Sequence, residues 1–391
     1  MFNIMFTEED KALIALAKDF ATEYINEESV AQWCFDEGIP DDVMMAYKDC
    51  GLGFLGLPTE YGGRESSNLA QIAVIEELSR VAGAMLPFGV QLYTFEALSL
   101  LADERQMGVL VDSFNETARV FYSTAISDSL SGSDILGSKT AVVQRDGVLY
   151  LSGRKAFVSE GEHAPYIMVM AKDMTECDNH VEAPISLWLL PRDTDGISVF
   201  PINKIGQKII SSAAIIFDDC IVKPEWRLGF ESVTGGKIDM STLLKTLEFG
   251  RCVLCASSLG LAQAALEDAA KYASTHTIRE TRLAEFEMIA ALLTEMQSTV
   301  LNMRGHVYHS AQKLDRGGSS MLETSLMKYY VPSAAVKVAD SAMQIFGGVA
   351  YTDATRIGRI WSDCRGNQFA IGTEQLMSII AGREVINKYS E

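Results

Sequence analysis

The sequence predicts an α+β fold built in three successive units, helical, then β-rich, then helical again. Apolar residues recur at intervals of three and four through residues 1–117 and again over 237–391, whereas over 118–236 the period falls to two and β-branched residues rise. No G-x-G-x-x-G follows a strand pattern, so a dinucleotide-binding Rossmann unit has no support. A length of 391 residues suits two or three domains, and 48% hydrophobic residues with only 9 prolines allow a sizeable core. The expected domains are an N-terminal helical domain (1–117), a central β domain (118–236) and a C-terminal helical domain (237–391).

In the first unit, TEEDKALIALAKDFATEYI, PDDVMMAYKDCGLGFLGLP and NLAQIAVIEELSRVAG read as helices. Thr7 followed by Glu8 and Glu9 is an N-cap with acidic first-turn residues. PTEYGGRES (58–66) is a loop. In the second unit, RVFYSTAIS, KTAVVQRDGVLYLSGRKAFVS, YIMVMAKD, ISLWLLPRD and GISVFPI are strand candidates, and RDGV supplies a hairpin turn. In the third, long helical periods are broken near THTIRETR, RGGSS, FGGVAYTD and RGNQ.

A net charge of −19 repels phosphate backbones, which argues against a nucleic-acid partner. No charged n-region with an apolar run opens the chain, so no signal peptide is expected. No charge-free apolar run reaches the length of a membrane span, and CVLCASSLGLAQAAL (252–266) reads as a buried helix. Seven cysteines, an odd number, suggest reduced thiols and a cytoplasmic location. Cys252 and Cys255 form a CxxC inside a helical pattern without a second pair, and His306 and His309 share a helix face, so core packing and a plain helix surface are the readings there and no metal site is expected.

Three stretches carry potential chemistry. STAISDSLSGSD (123–134) is a strand running into a Ser/Gly-rich loop, either an ordinary polar loop or a lining for a ring or phosphate. In GRKAFVSEGEHAPY, Phe157 and Ser159 alternate on a strand and so share a face, where an aromatic could lie over a planar cofactor and a hydroxyl could reach a ring nitrogen. In ADSAMQIFGGVAYTDATRIGRIWSDCRGNQFAIGTEQL (339–376), QIFGG ends a helix with glycines and GTEQ starts another.

Together, and in this order, these stretches resemble the acyl-CoA dehydrogenase family over nearly the whole chain, through DGVLYLSGRKAFVS, LGLAQAALEDAAKYA, QIFGG and GTEQ…GREVI. Within the family the chain looks most like crotonobetainyl-CoA reductase-type members, through EDAAKYA, DSAMQIFGGVA, RIGRIW and GREVINKY. The resemblance implies a C-terminal four-helix-type bundle, a homotetramer or a heteromer with a paralogue, FAD between the β domain and the C-terminal helices, an acyl-CoA thioester substrate and an electron-transfer flavoprotein as partner. In such enzymes an acidic side chain removes a proton from Cα while a hydride leaves Cβ. By the same resemblance Thr124, Ile126 and Ser127 line the flavin, and Gly132 and Ser133 lie near the flavin and the thioester arm. Phe157 and Ser159 stand beside the ring, Gln344, Gly347 and Gly348 reach a neighbouring subunit's FAD, and Thr373 and Gln375 form the FAD-binding helix start.

The chain departs from the family's pattern at the acid. The usual base position holds Ile371, and the alternative position, on a long helix, holds Gly250. Neither side chain transfers a proton, a function worth ~10²–10⁴ in rate. Glu374 is the candidate substitute: if both residues are helical it lies roughly 300° from Ile371, on a neighbouring face. Glu248 lies roughly 200° from Gly250 and is turned away. A second departure is HTIRETRLAEFE, where His276, Ile278-Arg279 and Glu287 replace a family grip on FAD. Arg279 is the expected compensating cation, with Arg282 as an alternative. Three functions remain open: an acyl-CoA oxidoreductase with a displaced acid, working as a dehydrogenase or an enoyl-CoA reductase; a catalytically degenerate subunit that binds acyl-CoA or partners an active paralogue; or a family member that uses flavin for other chemistry, such as oxidation of a carrier-bound or non-CoA substrate.

Overall fold

The computed structural model describes residues 6–64, 66–129, 131–229, 240–317 and 321–390. The expected boundary at 236/237 falls outside them. Six helices come first: α1 (Glu8–Tyr24), α2 (Glu27–Asp36), α3 (Asp41–Asp49), α4 (Asn68–Ala82), α5 (Phe88–Leu101) and α6 (Glu104–Thr117). Thr7 opens α1 through a capping box, its hydroxyl accepting from the Asp10 amide at 3.1 Å while its own amide donates to the Asp10 carboxylate at 2.9 Å.

The β unit is one mixed sheet. Its strands are β1 (Tyr122–Ala125), β2 (Ala141–Arg145), β3 (Val148–Ser159), β4 (Tyr166–Asp173), β5 (Ile185–Pro191), β6 (Ile197–Pro201), β7 (Ser212–Val222) and β8 (Arg227–Leu228). The order is β6-β7-β3-β2-β4-β5-β8, with β1 pairing β4 in parallel. Asp146 and Gly147 both have positive φ, 50° and 79°, which makes the β2–β3 connection the two-residue turn that RDGV predicts. Strand β7 is not among the sequence's strand candidates. Its SAAIIF run lacks alternation and two aspartates interrupt it, yet it pairs with β3 from Leu149 to Ser159.

The C-terminal unit contains α7 (Met240–Thr275), a short hairpin of β9 (Thr277–Ile278) and β10 (Thr281–Arg282), α8 (Glu287–Asp315), α9 (Met321–Phe346), the short α10 (Ile357–Asn367) and α11 (Glu374–Tyr389). Helix α7 is the central post, packed on α4, α5, α8 and α9. Its stretch Thr246–Thr275 is long and apolar enough to cross a bilayer, but 94% of its apolar window is buried within the fold. Cys252 and Cys255 lie in this core, and burial pushes the Cys255 thiol up to about 12.

Three apolar clusters hold the units together. The largest joins α1, α4 and α5 to α7–α10. A second binds Phe95 and Phe114 of the N-terminal helices to Met168, Leu187 and Leu189 of the sheet. The third fills the other face of the sheet around Val158, Trp188 and Phe217. The β domain is therefore anchored on one face by the N-terminal helices, which leaves the strand ends around β1 and β3 to form a site.

Candidate cofactor and active site

The loop after β1 is fixed by a buried ion pair. Lys155 of β3 is fully buried, and its ammonium meets the Asp128 carboxylate at 2.6 Å while donating to the Ile126 carbonyl at 2.7 Å. Asp128 also accepts from the hydroxyls of Ser138 and Thr140 and from the amides of Lys139 and Thr140. Burial alone would raise its pKa, but the hydrogen bond and charge of Lys155, with the Lys139 amide and the Ser138 hydroxyl, leave it lowered. The pairing brings the loop against β3: the Ala156 amide donates to the Ser127 carbonyl at 3.0 Å, and the Ser129 amide to the Arg154 carbonyl at 3.3 Å. The sequence offered no sign of this bridge beyond the polarity of the loop, because its two residues lie 27 positions apart.

This geometry brings Ser127 to the neighbour of Phe157. Phe157 does not continue a regular alternation. The β3–β7 register shifts between Lys155 and Val158, and Phe157 sits in this irregularity at φ 55°. Val158 is fully buried, so Phe157 and Ser159 still point away from the core, and Phe157 is 72% exposed. An aromatic at positive φ costs ~1–3 kcal/mol and persists only where the surrounding structure fixes it, here the register shift between β3 and β7. The Thr124 hydroxyl on β1 and the Ser131 hydroxyl in the loop are buried without a partner among the described residues. A side chain at Gly132 would meet nothing within 4 Å, and Ser133 is exposed. Orphaned hydroxyls, an open glycine and an uncovered aromatic fit a planar, hydrogen-bonding cofactor such as FAD.

The second part of the site lies at the start of α11. The Thr373 hydroxyl caps the helix, accepting from the Leu376 amide at 3.2 Å. Gln375 is exposed. Glu374, the first helical residue, accepts from the Gln368 side chain at 2.6 Å. The expectation that Ile371 and Glu374 share a helical relation fails, because Ile371 lies before the cap at φ 52° and Gly372 at φ 99°. The two positions where a base was expected face one another. A Cβ on Gly250 would lie 3.4 Å from Ile371 Cδ1 and 2.6 Å from Tyr93 Cδ2. Tyr93, buried on α5 and hydrogen-bonded to Thr246, thus occupies the space that a side chain at 250 would need. Glu248, one helical turn before Arg251, is buried rather than solvated.

Gln344, Gly347 and Gly348 are exposed and line a cavity of about 450 Å³ with Tyr351 and Trp361, and no β-domain residue lines it. His276 stacks on Tyr272 (4.7 Å between centroids) and Tyr272 on Phe346 (4.2 Å), which ties the β9–β10 hairpin to this cavity's edge. Arg279 occupies the exposed hairpin tip at φ 49°, and Glu287 opens α8, also exposed.

Comparison with known proteins agrees along the chain. Family models described as acyl-CoA dehydrogenase N-terminal, middle and C-terminal domains match residues 7–108, 123–220 and 240–386. The probable acyl-CoA dehydrogenase YdiO of Escherichia coli (strain K12) is 29% identical over 385 residues, 98% of each chain. The acyl-CoA dehydrogenase of Slackia heliotrinireducens DSM 20476 superposes with a TM-score of 0.88 at 36% identity, covering 100% of this chain and 99% of that one. A chain from a structure of the electron transferring flavoprotein of Acidaminococcus fermentans superposes with a TM-score of 0.87 at 25% identity, over 97% of this chain and 98% of that one. The three matched units, in this order and on this fold, establish that the chain belongs to the acyl-CoA dehydrogenase family, whose members are FAD-binding flavoproteins.

Proposed function

We propose that the protein is an FAD-dependent oxidoreductase acting at the Cα–Cβ bond of an acyl-CoA thioester, as a dehydrogenase or an enoyl-CoA reductase. The observation that carries this reading is the β1–β3 cradle, where the Thr124 and Ser131 hydroxyls are buried without a partner among the described residues and the loop between them bonds β3 next to the uncovered Phe157. Thr124, Ile126, Ser127, Phe157 and Ser159 would hold the flavin, and Gly132 and Ser133 would admit the thioester arm. FAD, when bound, would supply the hydride acceptor for dehydrogenation or, in its reduced form, the hydride donor for enoyl reduction, which no protein side chain can supply. The chain's own residues bind and orient the ring, exclude water from it, and place a proton donor or acceptor at Cα. Glu374 is the residue we assign to that proton, and Thr373 and Gln375 would hold the cofactor at the start of α11.

Gln344, Gly347, Gly348 and Arg279 are exposed on the single chain. We assign them to the FAD of a neighbouring copy or of a paralogue, which makes the working unit an oligomer, with an electron-transfer flavoprotein as redox partner. All seven cysteines are free thiols, in keeping with a cytoplasmic location. A second reading, a non-catalytic subunit, is favoured by the apolar contact between Ile371, Gly250 and Tyr93, which places no carboxylate at either base position. The absorbance spectrum of the purified protein separates the two. An oxidised-flavin spectrum that survives desalting supports the oxidoreductase, and a colourless protein that stays apo on addition of FAD supports the subunit.

A further inference from the structure

We propose that Lys328 is the positioning residue that fixes how the side chain at 371 is presented. Its functional meaning rests on the reading above, that position 371 borders the substrate, but the device itself is independent of turnover.

Ile371 is β-branched and sits at φ 52°, where such residues are outliers. The next residue, at φ 99°, is one that only glycine tolerates, and a Cβ there would also fall 2.7 Å from Met377 Cε. Something must hold this turn against relaxation. Lys328 on α9 is fully buried, and its ammonium donates to the Asn367 carbonyl at 2.9 Å and the Gly372 carbonyl at 3.0 Å. These carbonyls bracket the turn, one at the end of α10 and the other just before α11. Among the described residues no carboxylate lies within ion-pair distance of Lys328, and its hydrogen bonds go to main-chain oxygens.

The anchor behind the clamp is itself fixed. The Asn367 side chain accepts from Gln207 at 2.7 Å and donates to the Ser258 hydroxyl at 2.9 Å, so the carbonyl that Lys328 grips is tied to α7 and to the loop before β7. A buried ammonium is costly, and burial, aided by the nearby Arg251 and opposed by Cys255 and Glu374, lowers the pKa of Lys328 to about 8. An apolar residue would avoid that cost but would remove the lysine's bonds from one buried and one half-buried carbonyl and leave the turn free to unwind. The structure thus assigns Lys328 to setting a strained turn in which residue 371 faces Gly250.

The test is amide hydrogen exchange on the purified full chain, with Lys328→Met compared with the unmodified protein. Exchange over 368–374 should rise at least tenfold, while 331–345 in the same helix as Lys328 stays protected. Equal loss of protection along α9, or no change at 368–374, would overturn the proposal. A double-mutant cycle gives an independent reading. Ile371→Gly removes the strain that Lys328 holds, so it should be better tolerated, by several degrees in Tm, with Lys328 present than in the Lys328→Met background. Equal shifts in both backgrounds would reject the clamp. If Lys328→Met does not fold, Lys328→Gln, which keeps one donor arm, should show the same localised exchange at smaller amplitude, and uniform exchange would again count against it. None of these readouts needs a substrate, so a failure of the oxidoreductase reading is distinguishable from a failure of the clamp.

Discussion

The β1–β3 cradle and the turn before α11 are built on opposite principles. The cradle is polar, ordered by the buried Asp128–Lys155 pair, and leaves two hydroxyls buried without partners among the described residues. At the turn, the strained Ile371 instead packs against Gly250 and Tyr93, with main-chain carbonyls held by Lys328. The difference teaches that the two regions are held by separate sets of contacts, side chain to side chain in the first and side chain to main chain in the second. The first carries features that suit a cofactor, whereas the second presents an isoleucine, which has no group to transfer a proton.

The comparison breaks first at the buried pair. Lys155→Met leaves the Asp128 carboxylate buried with its ammonium partner removed and should cost ~3–5 kcal/mol, read as a fall in the denaturation midpoint together with loss of bound FAD. Cofactor retention unchanged in that variant would mean that the loop does not hold the flavin.

The next effect lies beside the turn, at Asp363 of α10. It is fully buried, and it accepts from the Met85 amide at 2.8 Å and from the Gln207 amide. Burial raises its pKa to about 6, against the lowering effect of those two amides. The folded state therefore keeps a proton that the unfolded chain releases near pH 4. Its stabilisation is fully present below the unfolded pKa and is lost as pH rises through about 6. Asp363→Asn removes this term, so the stability difference between native and variant should change by ~1–2 kcal/mol between pH 5 and pH 8, with the native protein relatively stronger at the acid end. Thermal melts at both pH values measure it, and parallel slopes would show that Asp363 does not titrate in this range.

The smallest effects sharpen the cradle. Ser159→Ala should weaken FAD binding by ~0.5–1.5 kcal/mol, the worth of one hydrogen bond. Thr124→Val should weaken FAD binding by a similar amount while leaving the apo protein as stable or more so, because the hydroxyl has no protein partner to lose. Equilibrium dialysis against FAD measures both, and a Thr124→Val variant that binds FAD normally would remove that residue from the cradle.

The sequence made the units legible because periodicity reports burial directly. β4 is the run YIMVMAKD itself, and the capping of α1 follows from Thr7. It missed β7, whose apolar run does not alternate, and it read Phe157 as part of a regular strand when the β3–β7 register shift instead holds it at positive φ. At the site, the motif residues were visible but their supports were not. Lys155, Tyr93 and Lys328 act through contacts with residues far away in sequence, and no local pattern distinguishes a buried lysine from a solvated one. The helical angle assigned between Ile371 and Glu374 failed for the same reason, since the left-handed turn between them is set by tertiary contacts with Lys328.

The central claim is the proposal that FAD sits in the β1–β3 cradle and that Glu374 handles the substrate proton, position 371 being an isoleucine. Anaerobic bleaching of the flavin by a panel of saturated acyl-CoA chain lengths tests it on the unmodified protein, Ile371→Glu and Glu374→Gln. The account predicts slow bleaching in the unmodified protein, none in Glu374→Gln, and bleaching faster by up to ~10²–10⁴ in Ile371→Glu. Fast bleaching in the unmodified protein and in Glu374→Gln alike would contradict the displaced acid, and no bleaching in any of the three would leave the non-catalytic subunit in its place.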